Sequence, residues 1–295
     1  MKYAIIGGTG TLGTALLSRL DGDITVFSRG ELAQKKTAQE FPEAKMVIGD
    51  VRDREAVSKA VAGADVVFLL AAIKHVDIAE QNPLEAIKTN VLGAVNVCEA
   101  ALEAGAKYVV YSNTDKAVLP ITTYGYTKAL AQNYVLAQNG KSKTKFSVFT
   151  WGNIAASRGS VIQTFVDALL SGRPVPLTHV SMSRFWLTID TAADFMLSKY
   201  KSAPADAAMI PPVKGAPVLE VIHSIARILS IKDFKVEVTG LRGTEKIHEC
   251  LETSHNFCLR SDTCDQFTDS ELDAFLGDIV RGLAGESRLK AELAC

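Results

Sequence analysis

Tyr3-Ala4-Ile5-Ile6-Gly7-Gly8-Thr9-Gly10-Thr11-Leu12-Gly13, followed by Ala15-Leu16-Leu17, decides the fold of this chain. Tyr3 to Ile6 is an apolar run of the length of a buried strand. The glycines then form a turn, and the apolar residues resume with helical spacing. Strand, glycine-rich turn and helix are the context in which such a motif holds a dinucleotide. Gly7 permits the tight turn, Gly10 lets backbone approach a pyrophosphate, and Gly13 lets helix and sheet pack closely. The helix N-terminus would face the phosphates with free N–H groups and a partial positive charge. The spacing reads as Gly-x-x-Gly-x-x-Gly from Gly7 and as Gly-x-Gly-x-x-Gly from Gly8, so it does not choose between dehydrogenase subclasses.

The alternation continues outward from this start. Strands are expected at residues 2–7, 23–27, 45–48, 65–71, 107–112 and 145–150, with helices at about 11–20, 30–41, 53–62, 82–104 and 123–139. This predicts an α/β fold with a Rossmann-like, doubly wound parallel sheet. Asp65-Val66-Val67-Phe68-Leu69-Leu70 is nearly all apolar, as suits a strand covered on both faces. Beyond residue 150 the pattern loosens. Val161 to Leu170 reads as a helix, Phe185 to Thr188 as a strand, Thr191 as a further helix start, and Thr268-Asp269-Ser270-Glu271 as another. The expected organisation is a nucleotide-binding domain at 1–150 carrying the catalytic residues. A smaller C-terminal substrate-binding lobe at 151–295 would follow, with some of its segments returning to the main sheet.

Composition narrows the function classes. The chain has 295 residues, 47% hydrophobic and 22% charged, with a formal net charge of −1. That balance gives nucleic-acid binding no electrostatic support. No apolar run approaches a membrane span, and no basic region precedes a signal-type apolar segment, so a cytoplasmic protein is expected. The five cysteines, Cys98, Cys250, Cys258, Cys264 and Cys295, form no Cys-x-x-Cys pair, and reduced thiols are expected. His75 and His248 lack partners at ligand spacing, so no metal site is expected.

Two further stretches bear on chemistry. The second strand runs into Ser28-Arg29-Gly30, with Glu31 only later and Lys35 and Lys36 beyond. An acid at the tip would suit the ribose hydroxyls of NAD, whereas a hydroxyl and a guanidinium suit the 2′-phosphate of NADP. NADP is therefore the expected cofactor. Asp50, after the third strand, is either an adenine contact or a helix cap. Tyr124 and Lys128 form a Tyr-x-x-x-Lys pair, which a helix would place on one face. A lysine ammonium beside a phenol favours the phenolate and makes the tyrosine a base. Asp115 and Lys116 add an acid and a base upstream. Thr114 and Lys116 would point the same way in extended backbone and Asp115 the other. For all three to act, the chain has to turn there, and Pro120 fits a loop.

Several linked motifs run in one order along residues 1 to about 250: Gly7-Gly8-Thr9-Gly10; Ser28-Arg29; Ala71-Ala72-Ile73-Lys74-His75-Val76; Asn82-Pro83 through Asn90; Thr114-Asp115-Lys116-Ala117; Tyr124-Gly125 with Lys128; Gly152-Asn153 with Ser157-Arg158-Gly159-Ser160-Val161; Ser183-Arg184-Phe185-Trp186; and Glu245-Lys246-Ile247-His248-Glu249. On these the chain resembles the extended short-chain dehydrogenase/reductases. Within them it is similar to the soluble UDP-N-acetylglucosamine 4,6-dehydratases of the configuration-inverting kind. Asn113 stands where that group usually has serine, and Trp151 where a tyrosine is common. The resemblance implies catalytic roles for Thr114, Asp115, Lys116, Tyr124 and Lys128. It implies cofactor contacts from Gly7, Thr9, Gly10, Thr11, Leu12, Gly13, Ser28, Arg29, Lys35, Asp50, Val51, Ala71, Ala72, Lys74, Tyr124 and Lys128. Lys74, Asn153, Arg158, Val161, Arg184, Glu245 and Lys246 would meet the nucleotide-sugar. A UDP-sugar substrate, conversion to a 4-keto-6-deoxy sugar with inversion at carbon 5, and a homo-oligomer belong to the same expectation. A UDP-sugar epimerase and a non-catalytic NADP-binding scaffold are the alternatives on this fold.

Overall fold

The computed structural model describes the backbone of all residues except 156, 158, 255, 256, 294 and 295, and side chains outside these and outside 252–257 and 288–295. The chain divides into two compact units: residues 1–151, 190–211 and 251–258 form the first, and 152–189, 212–250 and 259–295 the second.

In the first unit, strands β1 (Lys2–Ile6), β2 (Asp23–Ser28), β3 (Lys45–Ile48), β4 (Val66–Leu69), β5 (Tyr108–Thr114) and β6 (Lys145–Trp151) alternate with helices. Helix α1 spans Thr11–Leu17, α2 Glu31–Glu40, α3 Arg54–Val61, α4 Val76–Gln81, α5 Pro83–Ala86, α6 Gly93–Glu103 and α7 Thr123–Leu136. The strand Ala208–Met209 completes a seven-stranded sheet in the order Ala208–Met209, β6, β5, β4, β1, β2, β3. Every neighbouring pair is parallel. The order reverses between β1 and β4, and a crevice opens at the carboxyl ends of strands at such a point. All four residues of β4 are buried, each contributing on the order of 1.5–3 kcal/mol of burial.

The sequence placed one helix over residues 82–104. The structure starts it at Pro83, just after α4, and carries it through α5, a π-turn at Ile87–Leu92 and α6 to Glu103. Asn82 sits at φ −132° and ψ 59°, outside the helical region, because the ring of Pro83 crowds the residue before it. The third helix is capped by Asp53, whose carboxylate accepts from the Glu55 and Ala56 amides. Asp50 is therefore not the cap.

The second unit holds a three-stranded sheet in the order Lys214–Pro217, Ser183–Leu187, Asn153–Ile154 and a parallel pair, Val175–Leu177 with Val236–Val238. Helices Val161–Leu170, Val218–Ile228 and Asp269–Leu293 bury Phe165, Val221, Ile225, Leu272 and Leu276 against one another. The long helix starts with a reciprocal cap: Glu271 N–H donates to the Thr268 hydroxyl at 3.3 Å, and Thr268 N–H to the Glu271 carboxylate at 2.9 Å. Cys250 and Cys258 are disulfide-bonded, against the expectation of reduced thiols, while Cys98 and Cys264 are free. The sequence spacing of these two cysteines carries no such signal. Among the described residues no helix is long and apolar enough to cross a membrane.

Candidate active site

At the switch point, Gly7 turns the chain at φ +91°, and a Cβ there would stand 2.7 Å from the Ala71 amide nitrogen. No side chain fits between the ends of β1 and β4 at this place. Helix α1 begins directly after Gly10, which supplies no side-chain cap. The resulting cleft encloses about 630 Å³, and Gly7, Thr9, Ser28, Arg29, Asp50, Val51, Ala71 and Ala72 all line it. Gly10, Thr11, Leu12 and Gly13 form the adjoining turn and the first turn of α1. Lys35 lies exposed on α2 and Lys74 exposed beyond β4, and neither lines the cleft.

The rim at the end of β2 is cationic but shared. Arg29, 56% exposed, lies 3.6 Å from the Asp50 carboxylate, and Arg52 lies 2.6 Å from it. Partial burial raises the Asp50 carboxyl, but the Arg52 hydrogen bonds outweigh it and the net shift is downward. Ser28 is held by a residue the sequence reading missed. The buried Gln34 amide donates to the Ser28 carbonyl at 2.9 Å, its hydroxyl at 3.2 Å and the Val47 carbonyl at 2.6 Å. The available signal was a polar pair, Gln34 and Thr37, on the inner face of α2.

The reactive groups gather where β5 ends. The chain turns into a 3₁₀ segment, Asp115–Ala117, so Thr114, Asp115 and Lys116 do not alternate. The Thr114 hydroxyl donates to the Asp115 carboxylate at 3.0 Å, and the Lys116 ammonium reaches the same oxygen at 3.0 Å. Asp115 is fully buried. Helix α7 starts under a Thr122 cap and carries Tyr124 and Lys128, both buried. Gly125 allows the turn to pack on this helix, since a Cβ there would meet the Lys116 carbonyl oxygen at 2.3 Å.

Burial raises the Tyr124 phenol above its ordinary value; the Lys116 charge and a Thr114 hydrogen bond pull it down, and Asp115 adds to the rise. Lys116 is thus one cation that acts on Tyr124. Lys128, on the same helix, bends back to the sheet: its ammonium donates to the Ser112 carbonyl at 2.7 Å and lies 4.1 Å from the centre of the Tyr111 ring. Burial brings Lys128 down to about 7.

Asn90, in the π-turn, organises the loop after β4. Its side chain accepts from Ile73 N–H at 2.8 Å and donates to the Ile73 carbonyl at 3.1 Å and the Thr127 hydroxyl at 3.0 Å. π-turns recur at functional sites. A buried asparagine between Thr89 and Val91 was the legible sign.

The residues expected at the nucleotide-sugar fall in the second unit. Asn153 sits opposite Trp186 on the strand beside Arg184. Val161 opens its helix, and Arg158 lies outside the described residues. Arg184 is buried and donates to the Ser183 carbonyl at 2.6 Å, the Ile247 carbonyl at 3.1 Å and the Lys246 carbonyl at 3.0 Å. Glu249 approaches Arg184 at 4.0 Å and Lys246 at 3.5 Å. Glu245 accepts from Arg242 N–H at 3.5 Å.

A glycine cradle at the switch point of a parallel sheet, with Thr-Asp-Lys at the next strand end and Tyr-x-x-x-Lys on the following helix, defines the extended short-chain dehydrogenase/reductases. The chain belongs to the family described as polysaccharide biosynthesis protein, which matches it over residues 4–269. It is 37% identical to a UDP-N-acetylglucosamine 4,6-dehydratase (inverting) of Campylobacter jejuni subsp. jejuni serotype O:2, over 85% of this chain and 77% of that one. It is 34% identical to a UDP-glucose 4-epimerase of Rickettsia canadensis, over 89% of this chain and 81% of that one. The solved structure of the dTDP-glucose 4,6-dehydratase DesIV of Streptomyces venezuelae, with NAD and TYD bound, shares the fold at a TM-score of 0.80 and 19% identity, over 98% of each chain.

Proposed function

We infer that this protein is a nucleotide-sugar 4,6-dehydratase that converts UDP-N-acetylglucosamine to a UDP-4-keto-6-deoxy-hexose with inversion at carbon 5. The observation that carries this is the turn after β5, which sets a buried carboxylate and an ammonium 3.0 Å apart beside the phenol of Tyr124. An enzyme that only oxidises and reduces the 4-hydroxyl needs the phenol alone. The 37% identical dehydratase supports the same reading.

The cleft suits a pyridine nucleotide: its floor tolerates no Cβ at Gly7, and its rim carries Ser28, Arg29 and Arg52. A pyridine nucleotide held by Gly7, Ser28 and Arg29 would supply the site with reversible hydride chemistry, needed at carbon 4 for oxidation and at carbon 6 for reduction. Tyr124 takes the 4-hydroxyl proton, and Thr114 hydrogen-bonds the developing ketone. Passage of one proton from the Lys116 ammonium to the Asp115 carboxylate arms both groups. The ketone acidifies the carbon 5 proton, which the Lys116 amine removes, while the Asp115 acid protonates the departing 6-hydroxyl so that it leaves as water; carbon 5 then takes a proton back once hydride has reached carbon 6. NADP is the preferred form, because a serine hydroxyl and an arginine suit a 2′-phosphate. Asn153, Arg158, Val161, Glu245 and Lys246 are assigned to the nucleotide-sugar, Arg184 to the same site through the 246–247 backbone it braces, and Lys35 and Lys74 to the cofactor and its sugar-facing side. A smaller substrate-binding lobe, a cytoplasmic location and a homo-oligomer complete the reading. Exposed Leu92, Tyr126 and Leu130 support self-association.

The 34% identical epimerase favours a second reading, in which Asp115 and Lys116 only bind sugar. Mass spectrometry of UDP-N-acetylglucosamine after incubation with the protein separates the two. Dehydration yields a product lighter by one water, and an unchanged mass with altered stereochemistry makes the protein an epimerase. For the cofactor, Arg29→Glu is expected to turn the preference toward NAD in binding titrations, by about tenfold for one lost charge-assisted contact. Tighter binding of NAD than NADP by the unsubstituted protein overturns the 2′-phosphate assignment.

A further inference from the structure

Tyr111 has no place in the reaction set out above, yet it touches Lys128, which the family resemblance places among the catalytic residues. It lies on β5, three residues before Thr114, and is 1% exposed. Its ring faces the Lys128 ammonium at 4.1 Å, and its own hydroxyl has no hydrogen-bond partner. We propose that Tyr111 is a positioning residue for Lys128, whose ring face holds the buried ammonium charged and fixed against the end of β5. The proposal rests on the reading of Lys128 as part of the active site.

An ammonium carries three donors, and the described hydrogen bonds give Lys128 one acceptor, the Ser112 carbonyl at 2.7 Å. Burial alone brings Lys128 down to about 7, so a modest stabilisation of the charged form decides its state at neutral pH. An aromatic face over a desolvated cation supplies a stabilisation of that size, equivalent to about one pH unit. The other titratable groups around this spot are Tyr124 on the same helix, Asp115 and Lys116 on the turn after β5, and Cys98 on α6. None of their side chains is bonded to the Lys128 ammonium in the described hydrogen bonds. The unpartnered hydroxyl separates ring from phenol: it contributes no bond, so the face of the ring is what Lys128 uses.

The test replaces residue 111 with phenylalanine and then with phenylalanines of increasing ring fluorination, which keep the shape and drain the π face. Lys128 is titrated by NMR in protein carrying ¹³Cε-lysine, its signal assigned with Lys128→Arg. Tyr111→Phe is expected to leave the Lys128 midpoint in place. Each added fluorine lowers it, to a total of about one pH unit. The sign follows from linkage: removing an interaction with the charged form lowers the midpoint, so the alkaline limb of cofactor reduction by the sugar moves to lower pH by the same amount. Tyr111→Leu, checked for folding by circular dichroism, shows the largest displacement. A Lys128 midpoint that stays constant across the fluorinated series overturns the proposal. Absence of turnover with a normal fluorine dependence of the Lys128 signal overturns the dehydratase reading and leaves the Tyr111 assignment standing.

Discussion

Each unit sets a lysine or arginine against a buried carboxylate, and the two arrangements differ in what the cation's donors do. In the first unit Lys116 bonds the Asp115 carboxylate at 3.0 Å and its charge acts on the phenol of Tyr124. In the second unit the Arg184 fork is taken up by the carbonyls of Ser183, Lys246 and Ile247. The first is a cluster of side chains acting on one another at a strand end. The second ties a strand to the 246–249 segment through backbone. A buried charge of the first kind is available for proton transfer. One of the second kind braces a segment that carries other candidate residues, and it reaches a ligand through them.

The largest effect that would sharpen this contrast is at Tyr124. Tyr124→Phe is expected to lower the first oxidation by about 10²–10⁴-fold, measured as transient cofactor reduction, with nucleotide-sugar binding retained. Near-normal reduction by the variant removes Tyr124 from the site. Arg184→Ala tests the other side. Truncating a buried, paired arginine costs about 3–5 kcal/mol, so a large fall in the denaturation midpoint of the variant is expected. A variant of normal stability whose only defect is a raised KM for the UDP-sugar would make Arg184 a ligand contact and erase the distinction. Gly125→Ala has a smaller expected effect. The added methyl pushes on the Lys116 carbonyl, 2.3 Å from the new Cβ, at a cost of about 1–3 kcal/mol. It displaces the turn, so elimination is expected to suffer more than cofactor binding. Equal loss of both would show that the glycine serves α7 as a whole.

The fold was legible because its signals are local and periodic. Tyr3 to Gly13 and Val66 to Leu69 announce a buried parallel sheet by apolar runs and glycine placement alone. The helix start at Pro83 was legible from that proline. The π-turn at Ile87–Leu92 was not, because Asn90 within it bonds to Ile73 and Thr127, residues 17 and 37 positions away. The candidate site was legible as residue types. Where the Lys128 ammonium sits was not: i,i+4 spacing puts Lys128 on the face of Tyr124, and only the carbonyl of Ser112 and the ring of Tyr111 explain why it bends back to the strand. Gln34 was hidden for the same reason, since its three acceptors lie on β2 and at Val47 on β3.

The most direct test of the turn after β5 as the elimination machinery is deuterium uptake at carbon 5 in heavy water by Lys116→Ala, followed with the absorbance of the reduced cofactor. Transient cofactor reduction by UDP-N-acetylglucosamine is expected to persist, with no exchange of the carbon 5 proton and no loss of water. Full deuterium incorporation at carbon 5 by the variant would contradict it and leave Lys116 as a substrate contact.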